Sequence, residues 1–193
     1  MAFDSGSGSE SDLTFTLLPS SDLVAAAELA ADAFARSPSY VNICQSPGAP
    51  RVAFLTWLFE RNFWLRVETT DACRCTYDSA TGQLVAFFMF VKPEVRDPTA
   101  WDMLSAGLLS FKLLSFGVGT LSRLLQSKSW FEAKEAEVLG DRISSAIRIE
   151  RMAVRESCQG RGIGSRTLRE ALKEADALLA PCILTTQVRN YVY

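Results

Sequence analysis

The sequence predicts an α/β domain in which a mixed β-sheet carries helices on both faces. Two observations predict it. Short β-rich runs alternate with stretches of helical period in the order β-α-α-β-β-(helical insert)-β-α-β, the pattern of a layered α/β sandwich. Towards the far end, Gly160, Gly162 and Gly164 stand in alternation between a strand and an amphipathic helix. At 193 residues, 48% of them hydrophobic, the chain suits one domain with a packed core.

Residues 1–12 (MAFDSGSGSESD) have neither a basic region nor an apolar run, so they read as a flexible tail rather than a signal peptide. Residues 13–193 form the domain. The run 13–18 (LTFTLL) is a strand closed by Pro19. Ser20 and Ser21 offer N-caps to a helix reaching Arg36, with Leu23, Ala27, Ala30 and Phe34 on its apolar face. Residues 37–50 hold Pro38, Pro47, Gly48 and Pro50 and read as a loop. A helix over 51–66 presents Phe54, Trp57, Phe59, Phe63 and Trp64, a stripe suited to a core or a cleft wall. Residues 72–77 and 83–91 form a hairpin, and the second strand (LVAFFMFV) is apolar enough for burial on both faces.

Residues 98–142 break the rhythm. They predict one or two helices, with Trp101, Leu104, Leu108, Phe111, Leu121 and Leu124 at helical spacing and Gly117 and Gly119 between them. This insertion packs on the core or roofs a cleft. Its most apolar part, 103–126, is interrupted by Lys112 and Arg123, below the roughly 18–20 uncharged residues of a membrane span. A strand over 147–154, a loop over 155–164 and a helix over 165–179 follow, the helix with Leu168, Leu172, Ala175 and Leu179 inward. Pro181 precedes a last strand at 182–187 (CILTTQ).

Composition excludes several chemistries. A formal charge of −2 gives no general attraction to nucleic acid or anionic membrane. The absence of histidine removes the serine-hydrolase triad and the commonest general base. Cys44, Cys73, Cys75, Cys158 and Cys182 are odd in number and irregularly spaced, which argues against a disulfide framework or a metal site. They read as reduced, structural thiols in a cytoplasmic protein. Catalysis therefore falls to carboxylates, tyrosines, thiols or backbone groups.

The segment that carries chemistry runs from Arg148 through Gln159-Gly160-Arg161-Gly162-Ile163-Gly164. Alternating glycines let the backbone turn sharply and let a ligand approach it. At a helix start their N–H groups converge on an anion such as a pyrophosphate. Arg155 and Arg161 stand at the rim. A P-loop would need Gly-Lys-Ser/Thr where Gly164-Ser165-Arg166 stands, and a dinucleotide fingerprint would need G-x-G-x-x-G and a later acid.

Gln159-Gly-Arg-Gly162-Ile-Gly164 instead resembles the Q/R-x-x-G-x-G/A motif of the GNAT (Gcn5-related N-acetyltransferase) superfamily, and it follows Met152-Ala153-Val154 as the family's motif follows its strand. The resemblance implies acetyl-CoA as co-substrate, with its pyrophosphate on Gln159, Gly160, Arg161, Gly162, Ile163, Gly164 and Ser165. It implies pantetheine along the backbone of Met152, Ala153 and Val154, where one N–H polarises the thioester carbonyl. An amine, small or peptide, then attacks directly. Glu150 is the candidate base, placed by strand alternation on the face of Met152 and Val154. Asn190 resembles a CoA-contacting asparagine, and Tyr193 or Tyr191 stands for the family's acid. Cys158, beside the loop, makes a poor covalent carrier.

Two departures qualify the resemblance. The family's domain continues through a helix and further strands beyond this point, so a non-catalytic acyl-CoA-binding protein remains the alternative. The apolar edge of 182–187 would then be open to self-association. The insertion at 98–142 lies where the family shapes its acceptor site, and its apolar character favours a small or amphipathic amine.

Overall fold

The computed structural model describes residues 12–67, 70–108 and 110–184. Five strands form one sheet in the order β1-β2-β3-β4-β5: β1 (Leu13–Leu17), β2 (Cys73–Asp78), β3 (Leu84–Val91), β4 (Ile147–Val154) and β5 (Cys182–Leu184). The first three pairings are antiparallel, while β4 and β5 run parallel, joined by the crossover helix α7 (Ile163–Ala177). The mixed sheet with helices on both faces is thus the architecture expected. Residues 185–193, which hold the rest of the expected last strand, lie outside the described residues, as do residues 1–11 of the expected tail.

Helices α1 (Leu23–Phe34) and α3 (Ala49–Val67) cover one face, burying Phe54, Phe59 and Phe63 against Phe87 and Met89 of β3. The Phe63 and Phe87 rings lie 4.2 Å apart by centroid. Helix α7 covers the other face, where Ala171 and Ala175 pack on Phe88, Phe90, Ile147 and Ile149. Alternation along β3 thus feeds both cores, and every residue of that strand is buried.

Four expectations shift. Residues 38–43 are not loop but a short helix, α2 (Pro38–Ile43), because Pro38 at its first position has the φ a helix start needs and no N–H to lose there. The insertion holds three helices, α4 (Ala100–Ser105), α5 (Phe111–Ser115) and α6 (Val118–Leu139). Gly117, at φ +94°, opens α6, but Gly119 lies inside it. A Cβ on Gly119 would stand 3.0 Å from Arg123 Nη1, so this glycine makes room for the guanidinium that donates through Nε to the Ile43 carbonyl at 3.0 Å.

The fourth shift is in α7, which begins at Ile163 and turns Ile163, Thr167, Ala171 and Ala175 inward. Leu172 and Leu179 face solvent instead. Small residues in the buried row let the helix lie close to the sheet, close enough for Thr167 and Thr76 hydroxyls to pair at 3.1 Å. The larger leucines are left for its flanks.

The insertion is fastened at its start and near its middle. Phe116 packs on Phe54 and Trp57 of α3, at 5.2 and 5.5 Å. Just before α4, Asp97 Oδ1 accepts from Arg66 Nη2 at 3.3 Å and from Arg148 Nη2 at 2.9 Å, linking α3 to β4. Thr99 and Asp102 then close a capping box that starts α4.

Candidate active site

The glycine loop leaves β4 at Val154, makes a short 3-10 turn at Glu156–Cys158 and enters α7. Its base is packed: Cys158 is buried with Leu13, Val85, Ala86 and Ile163. That is the surrounding of a packing residue, not of a nucleophile. Arg155 donates to the Leu84 carbonyl at 2.9 Å and Gln159 Nε2 to that of Val154 at 3.1 Å, so both side chains brace the loop.

Gly160 and Gly162 hold φ of +76° and +74°, and a Cβ at either would meet no atom within 4 Å. Both therefore turn the chain left-handed on an open side. Gly162 is the N-cap of α7 and offers no side chain to it, which leaves the amides of Ile163, Gly164 and Ser165 uncapped. Gly164 differs: a Cβ there would sit 3.3 Å from Val154 Cγ2. It sets how closely the helix start approaches β4. Loop glycines, exposed Arg161 and the positive end of a helix dipole are gathered on one surface, a combination whose chemistry suits an anion.

On β4 the structure corrects the sequence reading. Ala86 of β3 faces Val154 and Phe87 faces Ala153, but Met89 faces Glu150, so one extra residue is accommodated at 151–152. Arg151 absorbs it with φ +51°. This bulge reverses the alternation. Met152 and Val154 lie towards α7, near Gly164, whereas Glu150 lies with Met89 on the α1–α3 side. The expected common face of Glu150, Met152 and Val154 does not exist.

Glu150 stands in a charged cluster. Its Oε2 accepts from Arg151 Nη1 at 2.8 Å, and its Oε1 lies 3.5 Å from Arg148 Nε. The Glu150 side chain is 31% exposed, so it is reachable from solvent. Burial works to lower the Arg151 guanidinium, but the Glu150 charge and the Tyr40 hydroxyl beside it raise it above its ordinary value. Burial pushes the Tyr40 phenol up, against the opposing pull of Arg151. Tyr40, on α2, packs its ring against Phe34 and Phe59 at 5.8 and 5.5 Å.

Of the residues singled out in the sequence, Gln159 to Ser165 come together at the loop, and Met152 and Val154 lie beneath it. Glu150 is brought to the opposite face, and Asn190, Tyr191 and Tyr193 lie outside the described residues. Tyr40 was missed. Arg148-Ile-Glu150-Arg151 sets three charges within a strand otherwise suited to burial, and the structure pairs both arginines with Glu150.

The segment that carries the loop, and the fold around it, have counterparts among known proteins. Residues 138–191 match the model of the acetyltransferase (GNAT) family. No curated protein matches the chain. Among solved structures, the C-terminal condensation domain of Ebony in complex with β-alanyl-dopamine is similar, at 12% identity and TM-score 0.59, over 86% of this chain and 71% of that one. A Drosophila melanogaster polyamine N-acetyltransferase that forms N-acetylagmatine is similar at 12% identity and TM-score 0.50, over 93% of this chain and 78% of that one. Likeness at this identity shows a shared fold.

Proposed function

We propose that this chain is an acetyltransferase of the GNAT superfamily, a reading supported by its 138–191 segment and its fold, and that it moves an acetyl group from acetyl-CoA to a small primary amine. The observation that carries the reading is the loop: two left-handed glycines with open space at their Cβ positions, leading into an uncapped helix start. An anion can approach that backbone without meeting a side chain. The amides from Gly160 to Ser165, with Arg161 at the rim, hold the pyrophosphate. Pantetheine runs along Met152, Ala153 and Val154.

The amine nitrogen attacks the thioester carbonyl carbon, and the C–S bond breaks with its electron pair on sulfur. A β4 N–H aimed at the developing oxyanion supplies a few kcal/mol of stabilisation, about 3 in comparable sites. The amine enters from the α1–α3 side of β4, where Glu150 lies within reach of solvent, and Glu150, directly or through a water, receives the proton that the amine sheds. Tyr193 or Tyr191 returns a proton to the CoA thiolate, and Asn190 contacts the cofactor. The two similar structures concern amides of small amines, N-acetylagmatine and β-alanyl-dopamine, which supports an acceptor of that size. The apolar insertion beside α2 and α3 agrees with it.

Release of free CoA, followed with acetyl-CoA and a panel of small amines including agmatine and dopamine, tests this. Amine-dependent turnover is expected, and Glu150→Gln is expected to lower kcat by about a hundredfold with the acetyl-CoA KM little changed. Saturable acetyl-CoA binding with no turnover on any amine would mean a binding protein rather than an enzyme.

A further inference from the structure

We infer that Arg151 is a positioning residue, set at the β4 bulge to hold the Glu150 carboxylate in place on the α1–α3 side of the sheet; this rests on Glu150 receiving the amine's proton. Three observations converge on Arg151. It occupies a left-handed conformation, φ +51°, in which a residue with a side chain is strained. Its Nε is buried and has no hydrogen-bond partner. Its Nη1 does bond, to Glu150 Oε2 at 2.8 Å, with Met89 Sδ at 3.3 Å.

A glycine would make the same bulge without strain, and a shorter or apolar side chain would bury no orphaned donor. Arginine at this position is therefore a poor choice for folding on two separate counts. What it supplies in return is a grip on one oxygen of one carboxylate and a charged neighbour for the buried Tyr40 hydroxyl. The other oxygen, Oε1, has only Arg148 Nε at 3.5 Å, beyond the length of a good hydrogen bond. Arg148 is itself drawn towards Asp97, which accepts from it at 2.9 Å. The result is a carboxylate fixed through a hydrogen bond at Oε2 and held at Oε1 only by the longer ion pair to Arg148, which leaves Oε1 as the oxygen to receive a proton. Fixing such a group matters because a misplacement of about 1 Å can cost roughly a hundredfold in rate.

Steady-state kinetics and thermal melts on the full chain test the inference. Arg151→Gln is expected to melt no lower than the parent while kcat falls by about tenfold or more, with the acetyl-CoA KM within about twofold. Arg151→Lys, which keeps a donor near Oε2, is expected to recover part of kcat. In a Glu150→Gln background, Arg151→Gln should cost nothing further. Should Arg151→Gln fail to fold, Arg151→Gly makes the same comparison with the strain removed. Parent-like kcat in the Arg151 variants, or a loss that simply follows a lowered melting temperature, overturns the inference while a slow Glu150→Gln leaves the role of Glu150 standing. A fully active Glu150→Gln removes the role of Glu150, and that of Arg151 with it.

Discussion

Strand β4 and the loop that follows it meet the same problem, a backbone that must leave regular geometry, and meet it differently. In the loop, the left-handed positions are Gly160 and Gly162, and a Cβ at either would meet no atom within 4 Å. In the strand, the left-handed position is Arg151, with a long charged side chain engaged with its neighbours. Where the backbone itself is the binding surface, glycine serves and no strain is stored. Where a side chain must be delivered at the bend, the strain is kept together with the side chain. The loop offers amides to a ligand and the strand offers charged groups.

The strongest way to break this comparison is Gly162→Asp. The substitution adds a Cβ at φ +74°, worth about 1–2 kcal/mol of strain, and sets a carboxylate among amides turned towards an anion. Acetyl-CoA affinity is expected to fall by at least about a hundredfold in calorimetry, with helical circular dichroism unchanged. Parent-like affinity would remove the anion site from this loop. A subtler probe is Gly164→Ala. Alanine inside a helix gains up to about 1 kcal/mol over glycine, while its Cβ meets Val154 Cγ2 at 3.3 Å. The two effects oppose, so stability should move by less than about 1 kcal/mol, yet CoA affinity should drop severalfold as the helix start is pushed from β4. Unchanged affinity would show that the spacing between helix and strand is not critical.

The smallest expected effect sharpens the contrast from the charged side. Burial works against ionisation of Asp97, but the Arg148 and Arg66 guanidiniums hold its carboxyl below the usual carboxylate range. A folded-state value below the unfolded one gives stability that is present above the unfolded pKa of about 3.9 and lost as pH falls through the folded value. The Asp97 side chain is 70% exposed, so its contribution stays within about 1 kcal/mol. Asp97→Asn is expected to lower the melting temperature slightly at neutral pH, the difference shrinking as pH falls below the unfolded pKa of about 3.9 and through the folded value. Acetyl-CoA affinity, which belongs to the other face, should not change.

Much of this could be read before any coordinates. The Gln159–Gly164 run sits between strand and helix as expected, and the all-apolar β3 is buried along its length. Alternation failed at residues 151–152 because a bulge adds one residue without any mark in composition; Arg151 in a strand looks like any outward charge. Helix α2 was hidden by the prolines around it, since Pro38 reads as a breaker until it is seen at a first helical position. In α7 Leu168 and Ala175 pack inward as expected, but Leu172 and Leu179 do not, because close approach to a sheet favours alanine and threonine over bulk.

The bond from Arg123 to the Ile43 carbonyl joins α6 to the end of the helix that carries Tyr40. Its acceptor is main chain, so any residue at position 43 that keeps the helix end in place supplies the same oxygen. Its donor end is far less tolerant: it needs an arginine at 123, whose guanidinium passes close to Gly119, where a Cβ would stand 3.0 Å from Nη1. The joint is written in one partner only. Substitutions accumulating along α2 can pass without loosening it, while a single change in α6 undoes it, so the two halves of this contact are free to drift at very different rates.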